Sequence, residues 1–184
     1  MRRTKQMYQN EKKLSEEELF NGIVVHLTRD KVELDDGSQA TREVIHHPGG
    51  VCVAALDDDE NLYLVKQFRY PFGAVLTELP AGKLEYGEDP LECGTRELRE
   101  EVGAKAETMT YLGCLYPTVA YDTEIIHMYL AEGLTFGEQD LDDGEFLDVI
   151  KMPLKQAYEM VMKNELPDAK SQLAIIKAYC LKHK

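Results

Sequence analysis

The chain has 184 residues, 43% of them hydrophobic and 30% charged, which suffices for one core-forming domain with an appendage. Its formal net charge of -13 repels polyanions, which argues against bulk electrostatic binding of nucleic acid or an anionic membrane and leaves room only for a local basic pocket. No run approaches the roughly eighteen apolar residues of a membrane span, and the opening MRRTKQMYQNEKKLSEEE has no apolar leader segment, so the expected compartment is the cytoplasm.

Residues from about Phe20 to Ile45 read as strands: "GIVVHLTRDKVEL" and "QATREVI" on either side of a turn at Asp35-Asp36-Gly37, forming a small antiparallel sheet. After His47-Pro48-Gly49-Gly50, "VCVAAL" and "LYLVKQF" flank the turn "DDDEN" as a hairpin buried in a larger sheet. Further strands follow in "YLGCLY", "EIIHMYLAE" and "EFLDVIKM". Helices are expected from Pro90 to Val102, from Pro153 to about Lys163, and from Asp168 to Leu181. The first has Pro at its start and Gly103 just past its end. Strands covered by helices predict an α+β sandwich, divided into an N-terminal strand segment, residues 1–47, and a main domain, 48–184. Cys52, Cys93, Cys114 and Cys180 form no C-x-x-C pair and sit mostly in apolar stretches, so they read as buried free thiols. The histidines show no metal spacing.

The first helix carries an unusual charge pattern. Leu91, Leu98 and Val102 recur at intervals of seven and four and make a stripe that docks the helix on the sheet. Glu97 and Glu101, spaced i to i+4, point together on a different face, with Glu100 beside them and Glu85 and Glu88 just before the helix. Like charges one turn apart cost a helix a few tenths of a kcal/mol per pair, so the cluster calls for a cation. Hard divalent ions take carboxylate oxygens and keep waters that a phosphate substrate can replace. The loop from Gly82 to Asp89, with glycines at 82 and 87, can turn backbone carbonyls and Glu88 toward the same point. Gly94, inside the helix, costs about 1 kcal/mol relative to Ala, and close approach of another backbone is the expected reason.

Gly82, five residues, Glu88, seven residues, then Arg96-Glu97-Leu98-Arg99-Glu100-Glu101-Val102-Gly103-Ala104 resembles the Nudix box, G-x5-E-x7-R-E-U-x-E-E-x-G-U with U aliphatic. All seven fixed identities are present, and only Ala104 is smaller than usual. At roughly one chance in twenty per position, an accidental match is on the order of one in a billion. The segments "TREVIHHPGGVCVAAL", "LYLVKQFRYPF", "ELPAGKLEYGE" and "EIIHMYLAE" are similar in order and spacing to the ADP-ribose pyrophosphatase branch of the Nudix hydrolases.

The resemblance implies a Nudix α/β/α sandwich preceded by a small antiparallel β-domain that makes a homodimer, and metal-dependent hydrolysis of ADP-ribose to AMP and ribose 5-phosphate. It implies Mg²⁺, with Mn²⁺ possible, held by Glu97, Glu101, Glu100 and the carbonyl of Ala81, with Glu145 a further candidate ligand. Arg96 would orient Glu88 and Glu101 through charge-assisted hydrogen bonds. Arg42, Glu43, Arg69 and Glu124 match substrate positions, Lys83 sits beside the metal loop, and arginine suits phosphate through its planar fork. For the general base, the acidic loop "EQDLDDGEFLDV" offers Glu145 and Asp143, and Glu100 competes with them.

One segment departs from the branch pattern. Where a Ser-Pro-Gly segment precedes an acidic residue, this chain reads "YPTVAYDTE": Glu124 matches, but Val119 and Ala120 replace Pro and Gly. Another nucleoside diphosphate sugar, such as GDP-mannose, is the alternative substrate. A ligand-sensing Nudix domain without catalysis is the alternative from another class. The acidic chain shows no added helix-turn-helix segment, so neither nucleic acid nor membrane is an expected partner.

Overall fold

In the computed structural model, residues 10–141, 144 and 146–183 are described. They divide into two compact units. The first holds the described residues up to His47 together with Thr118–Glu124, and the second holds Pro48–Pro117 with Ile125 onward. The first unit is thus discontinuous in sequence, with Thr118–Glu124 as its returning segment.

In the first unit, β1 (Lys12–Asn21), β2 (His26–Glu33) and β3 (Gln39–His46) form an antiparallel sheet in that order. The sequence reading starts its strands at Phe20 and misses nearly all of β1. The reason is composition: KKLSEEELFN lacks apolar alternation, because β1 is an edge strand exposed along almost its whole length. The expected start of the next strand, from Gly22, is instead a turn in which the Gly22 N–H donates to the Val25 carbonyl at 2.9 Å. In the central β2, alternation is clear, with Thr28, Asp30 and Val32 buried on one face. Within this unit the returning segment is tied to β3: the Ile45 N–H donates to Tyr121 at 2.7 Å and the Thr123 N–H to Ile45 at 3.0 Å.

The second unit is built on β4 (Gly50–Leu56), whose residues are all buried, as a near-continuous apolar strand covered on both faces should be. Around it run β5 (Asn61–Arg69), β6 (Ala74–Glu78), β7 (Ala81–Lys83), β9 (Thr108–Leu115), β10 (Ile126–Glu132) and β12 (Leu147–Pro153). The main path is β12-β5-β4-β10-β9, with β6 paired to β5 and β7 to β4; β4 and β10 pair parallel and the other neighbours antiparallel. A small separate pair joins β8 (Ala104–Lys105) to β11 (Thr135–Phe136). Among the described residues the α-helices are α1 (Pro90–Val102), α2 (Leu154–Met162) and α3 (Ala169–Lys182), close to the expected ranges.

Alternate residues of β4 face opposite layers. Cys52, Ala54 and Leu56 pack with Leu154 and Val161 of α2 and Ala174 and Ile175 of α3, whereas Val53 and Ala55 pack with Leu98 and Val102 of α1. The result is the expected α+β class and α/β/α sandwich.

Three details differ from the sequence reading. Leu91 is 43% exposed, and the docking stripe is completed by the buried Cys93 and Gly94, whose small side chains an apolar-spacing search does not register. Gly94 faces side chains rather than a backbone: an added Cβ would lie 3.5 Å from Val53, Met109 and Tyr129, ordinary contact that leaves no space for anything longer. Of the four cysteines, Cys52 and Cys93 are buried but Cys114 and Cys180 are exposed.

Candidate active site

Two adjacent elements carry the acidic cluster, and each has a local reason for its shape. β7 lies along β4 with Ala81 opposite Cys52 and Gly82 opposite Val51. α1 begins at Asp89, whose side chain accepts from the backbone N–H groups of Leu91 and Glu92 at 2.8 and 3.3 Å, with Pro90 in the first turn. It ends at Gly103, with φ of +70°, where a Cβ would lie 2.7 Å from the Gly137 carbonyl oxygen.

Gly82 accommodates Glu97. A Cβ at residue 82 would fall 1.8 Å from Glu97 Oε1 and 1.9 Å from its Cδ, so the carboxylate occupies the space a side chain would take. Glu101, only 3% exposed, is held from the same strand: its Oε2 accepts from the Ala81 N–H at 3.0 Å.

Arg96 stands among the remaining carboxylates. Its Nε donates to Glu88 Oε1 at 3.0 Å, and its Nη1 to Glu97 Oε1 at 2.8 Å and Glu100 Oε2 at 2.9 Å. The expected link to Glu88 is there; further bonds go to Glu97, Glu100 and, from Nη2 at 3.4 Å, the Cys93 sulfur, while the Glu101 carboxylate accepts from the Ala81 N–H. The Glu88 carboxylate also accepts from the Glu85 N–H at 2.9 Å. The Arg96 hydrogen bond, only partly offset by burial, brings Glu88 down to about 2, and these partners push Arg96 further above its usual range. Burial raises the neighbouring Cys93 thiol to about 12, so it remains protonated and is no nucleophile at neutral pH.

As placed, no three His, Cys, Asp or Glu side chains among the described residues converge to hold one ion. The carboxylate oxygens surround a guanidinium instead. The donor set nonetheless fits a hard divalent cation: Glu97, Glu100 and Glu101 offer only oxygen ligands on a rigid helix, and the Gly82 cradle brings Glu97 against the strand that carries the Ala81 carbonyl.

A NUDIX domain model matches residues 46–176. The chain belongs to the Nudix family. It is 40% identical over 167 residues to the ADP-ribose pyrophosphatase of Bacillus subtilis (strain 168), covering 90% of each chain. It is 39% identical to the methanol dehydrogenase activator of Bacillus methanolicus, again over 90% of each. GDP-mannose pyrophosphatases stand further away, at 27% to 29%. Among solved structures, that of an ADP compounds hydrolase superposes with a TM-score of 0.82 at 20% identity, covering 95% of each chain, which is a likeness of fold.

The other predicted site residues of this Nudix chain are distributed as follows. Lys83 has an exposed side chain next to the Gly82 loop. Arg69 ends β5 and forks onto Glu78, with Nε and Nη2 at 2.7 and 2.8 Å from the two carboxylate oxygens. Arg42, Glu43 and Glu124 belong to the first unit. There Arg42 Nε donates to Glu11 at 2.8 Å, Glu43 lies 3.8 Å from Arg29, and Glu124 lies 3.7 Å from His47. Asp143 and Glu145 lie outside the described residues. The stem of their loop is fastened to the end of α1: the Asp140 N–H donates to the Glu100 carbonyl at 3.0 Å, and Gln139 Nε2 to that of Glu101 at 2.5 Å.

Sequence reasoning missed the Glu78 cluster. Burial raises a carboxyl, but the Arg69 hydrogen bonds and the charge of Lys170 outweigh it and bring Glu78 to about 2. The available signal was Glu78 itself, a charged residue ending the apolar run "GAVLTELP".

Proposed function

We propose that this Nudix protein hydrolyses the diphosphate bond of ADP-ribose, releasing AMP and ribose 5-phosphate, with Mg²⁺ as its metal. What carries this reading is the box geometry, Glu97 over Gly82 and Glu101 on Ala81, in a chain 40% identical to an ADP-ribose pyrophosphatase along nearly its whole length. Mg²⁺, or Mn²⁺ in its place, would be held by Glu97, Glu100, Glu101 and the Ala81 carbonyl, with Glu145 as a further ligand, and when bound supplies charge neutralisation at the phosphates and a more acidic water.

The chain's own residues do the rest. Arg96 fixes the directions of Glu88, Glu97 and Glu100. Arg69, assisted by Lys83, binds the diphosphate. Arg42, Glu43 and Glu124 are further substrate contacts implied by the family pattern. A carboxylate, from Glu145, Asp143 or Glu100, takes a proton from the attacking water. The water oxygen bonds to one phosphorus as the bridging P–O bond breaks, and the products separate as two phosphomonoesters. The first unit completes a homodimer, and the compartment is the cytoplasm. Among the described residues no helix is long and apolar enough to cross a membrane.

The test is a panel of ADP-ribose, GDP-mannose and a nucleoside triphosphate, assayed together for released phosphomonoester. ADP-ribose should give the highest kcat/KM, because binding energy at both ends of the substrate positions the bridge. A higher value for GDP-mannose overturns the substrate but not the metal chemistry. A second reading, action on another enzyme, has the 39% identity to the methanol dehydrogenase activator behind it. Absence of turnover with every small-molecule substrate would favour that reading, or a sensing role, over the first.

A further inference from the structure

A second charged cluster, around Glu78, enters the hydrolytic reading only through Arg69. The Glu78 carboxylate, at the end of β6, is almost completely buried and accepts three charged donors: Arg69 Nε and Nη2, and Lys170 Nζ at 2.5 Å. Lys170 is on the first turn of α3 and also lies 2.9 Å from Asp168, the residue capping that helix. Asp168 accepts from both the N–H and the hydroxyl of the buried Ser171, at 3.0 and 2.6 Å. Ser171 Oγ in turn accepts from the Leu79 N–H at 2.7 Å, immediately after Glu78. α3 thus grips Glu78 twice, once at its side chain and once at the adjoining backbone.

Stability alone is a poor reason for such a cluster, since burying ion pairs costs desolvation that well-packed apolar side chains would not incur. Orientation is a better one. The bidentate fork fixes the plane of the Arg69 guanidinium and commits Nε and Nη2 to Glu78, while Nη1 has no hydrogen-bond partner among the described residues and the side chain remains 37% exposed. The balance of charge matters too. Arg69 and Lys170 offset Glu78 and Asp168; without Lys170 the cluster is left with one net negative charge facing an anionic substrate.

We propose that Lys170 is a positioning residue for diphosphate binding: by neutralising Glu78 from the α3 side, it holds Arg69 with Nη1 presented outward and its positive charge uncancelled. The proposal rests on the reading of Arg69 as a diphosphate contact. It assigns α3, remote from the Nudix box in sequence, a part in substrate affinity.

The experiment compares Lys170→Met with Lys170→Arg. In Lys170→Met, KM should rise by about tenfold or more while kcat and the Mg²⁺ dependence stay within a few-fold, because loss of an ordered, charge-assisted contact weakens binding rather than chemistry. Affinity for α,β-methylene-ADP-ribose, measured by calorimetry, should fall by the same factor, and Lys170→Arg should restore most of it. A folded Lys170→Met with wild-type KM overturns the proposal, even if its melting temperature is lower, as does a change confined to kcat. Should Lys170→Met fail to fold, Lys170→Gln, which removes the charge but keeps a polar side chain beside Glu78, takes its place; a raised KM there supports the role, and a wild-type KM overturns it. The substrate reading is judged separately by the wild-type panel. If another nucleoside diphosphate sugar is preferred, the same variants are compared with that compound.

Discussion

Arg96 places a single guanidinium nitrogen, Nη1, 2.8 Å from Glu97 Oε1. The same nitrogen lies 2.9 Å from Glu100, and Nε lies 3.0 Å from Glu88, so one arginine offsets three of the crowded carboxylates. A divalent ion has to compete with this internal cation for Glu97 and Glu100. Mg²⁺ should nevertheless raise the melting temperature, by about 5–10 °C at a hundredfold excess over its Kd, because it binds only the assembled cluster. Arg96→Gln should melt lower without metal and gain more from Mg²⁺ than wild type does. No shift in either protein at millimolar Mg²⁺ would mean that the carboxylates are not a metal site.

Gly82 and Glu97 compete for one volume, which makes a glycine substitution equivalent to a ligand substitution. Gly82 has no positive φ, so alanine brings no backbone strain there, only the 1.8 Å collision with Glu97 Oε1. Gly82→Ala and Glu97→Gln should each lower kcat/KM by about a hundredfold or more with the fold intact by circular dichroism. The double variant should be little worse than either alone, since both remove the same carboxylate position. Simple multiplication of the two losses would show that Gly82 acts on something other than Glu97.

Much of this site was legible in the sequence because its geometry is local. Gly82, Glu88, Arg96, Glu97, Glu100, Glu101 and Gly103 span one loop and one helix, where spacing dictates proximity, and the strand and helix ranges around them follow from apolar runs and caps. What was illegible depends on tertiary pairing. Glu78 and Lys170 are 92 residues apart and meet only because the end of β6 lies against the first turn of α3. β1 was missed because an exposed edge strand needs no apolar face, and Leu91 was misplaced because small residues, Cys93 and Gly94, complete the buried stripe. The bonds of Arg96 differ from those expected for a similar reason: Glu101 turns toward the Ala81 N–H, a partner donated by a strand.

Acid should weaken the fold through two identified carboxylates. Glu78 and Glu88 both titrate near 2 in the folded chain, well below the 4.5 of an ordinary glutamate. A depressed folded-state pKa contributes stability that is fully present above the unfolded value and lost as pH falls through the folded one, so the window runs from about pH 4.5 to about pH 2. Urea unfolding at pH 5, 4 and 3 should show a falling midpoint, with a shallower decline in Glu88→Gln. An unchanged slope in that variant would remove Glu88 from the account. Near pH 7 neither group titrates, so these two carboxylates contribute no pH dependence to stability there.

The N-terminal sheet carries the prediction about assembly. Phe20, Ile23 and Val24, around the β1–β2 turn, are 57%, 99% and 61% exposed, and exposed apolar residues grouped at one turn mark a candidate contact surface. If they seat against a second copy, the paired change Ile23→Asp/Val24→Asp should give a monomer by analytical ultracentrifugation. Arg42, on β3 of the same unit, is assigned a different task, contact with substrate. Arg42→Ala should therefore leave the oligomeric state of the wild type unchanged while its KM rises by about tenfold, the loss expected for one charge-assisted hydrogen bond. The two variants separate assembly from binding. An aspartate pair that stays dimeric would exclude this turn from the interface, and an Arg42→Ala protein with wild-type KM would leave the first unit without a role in substrate recognition.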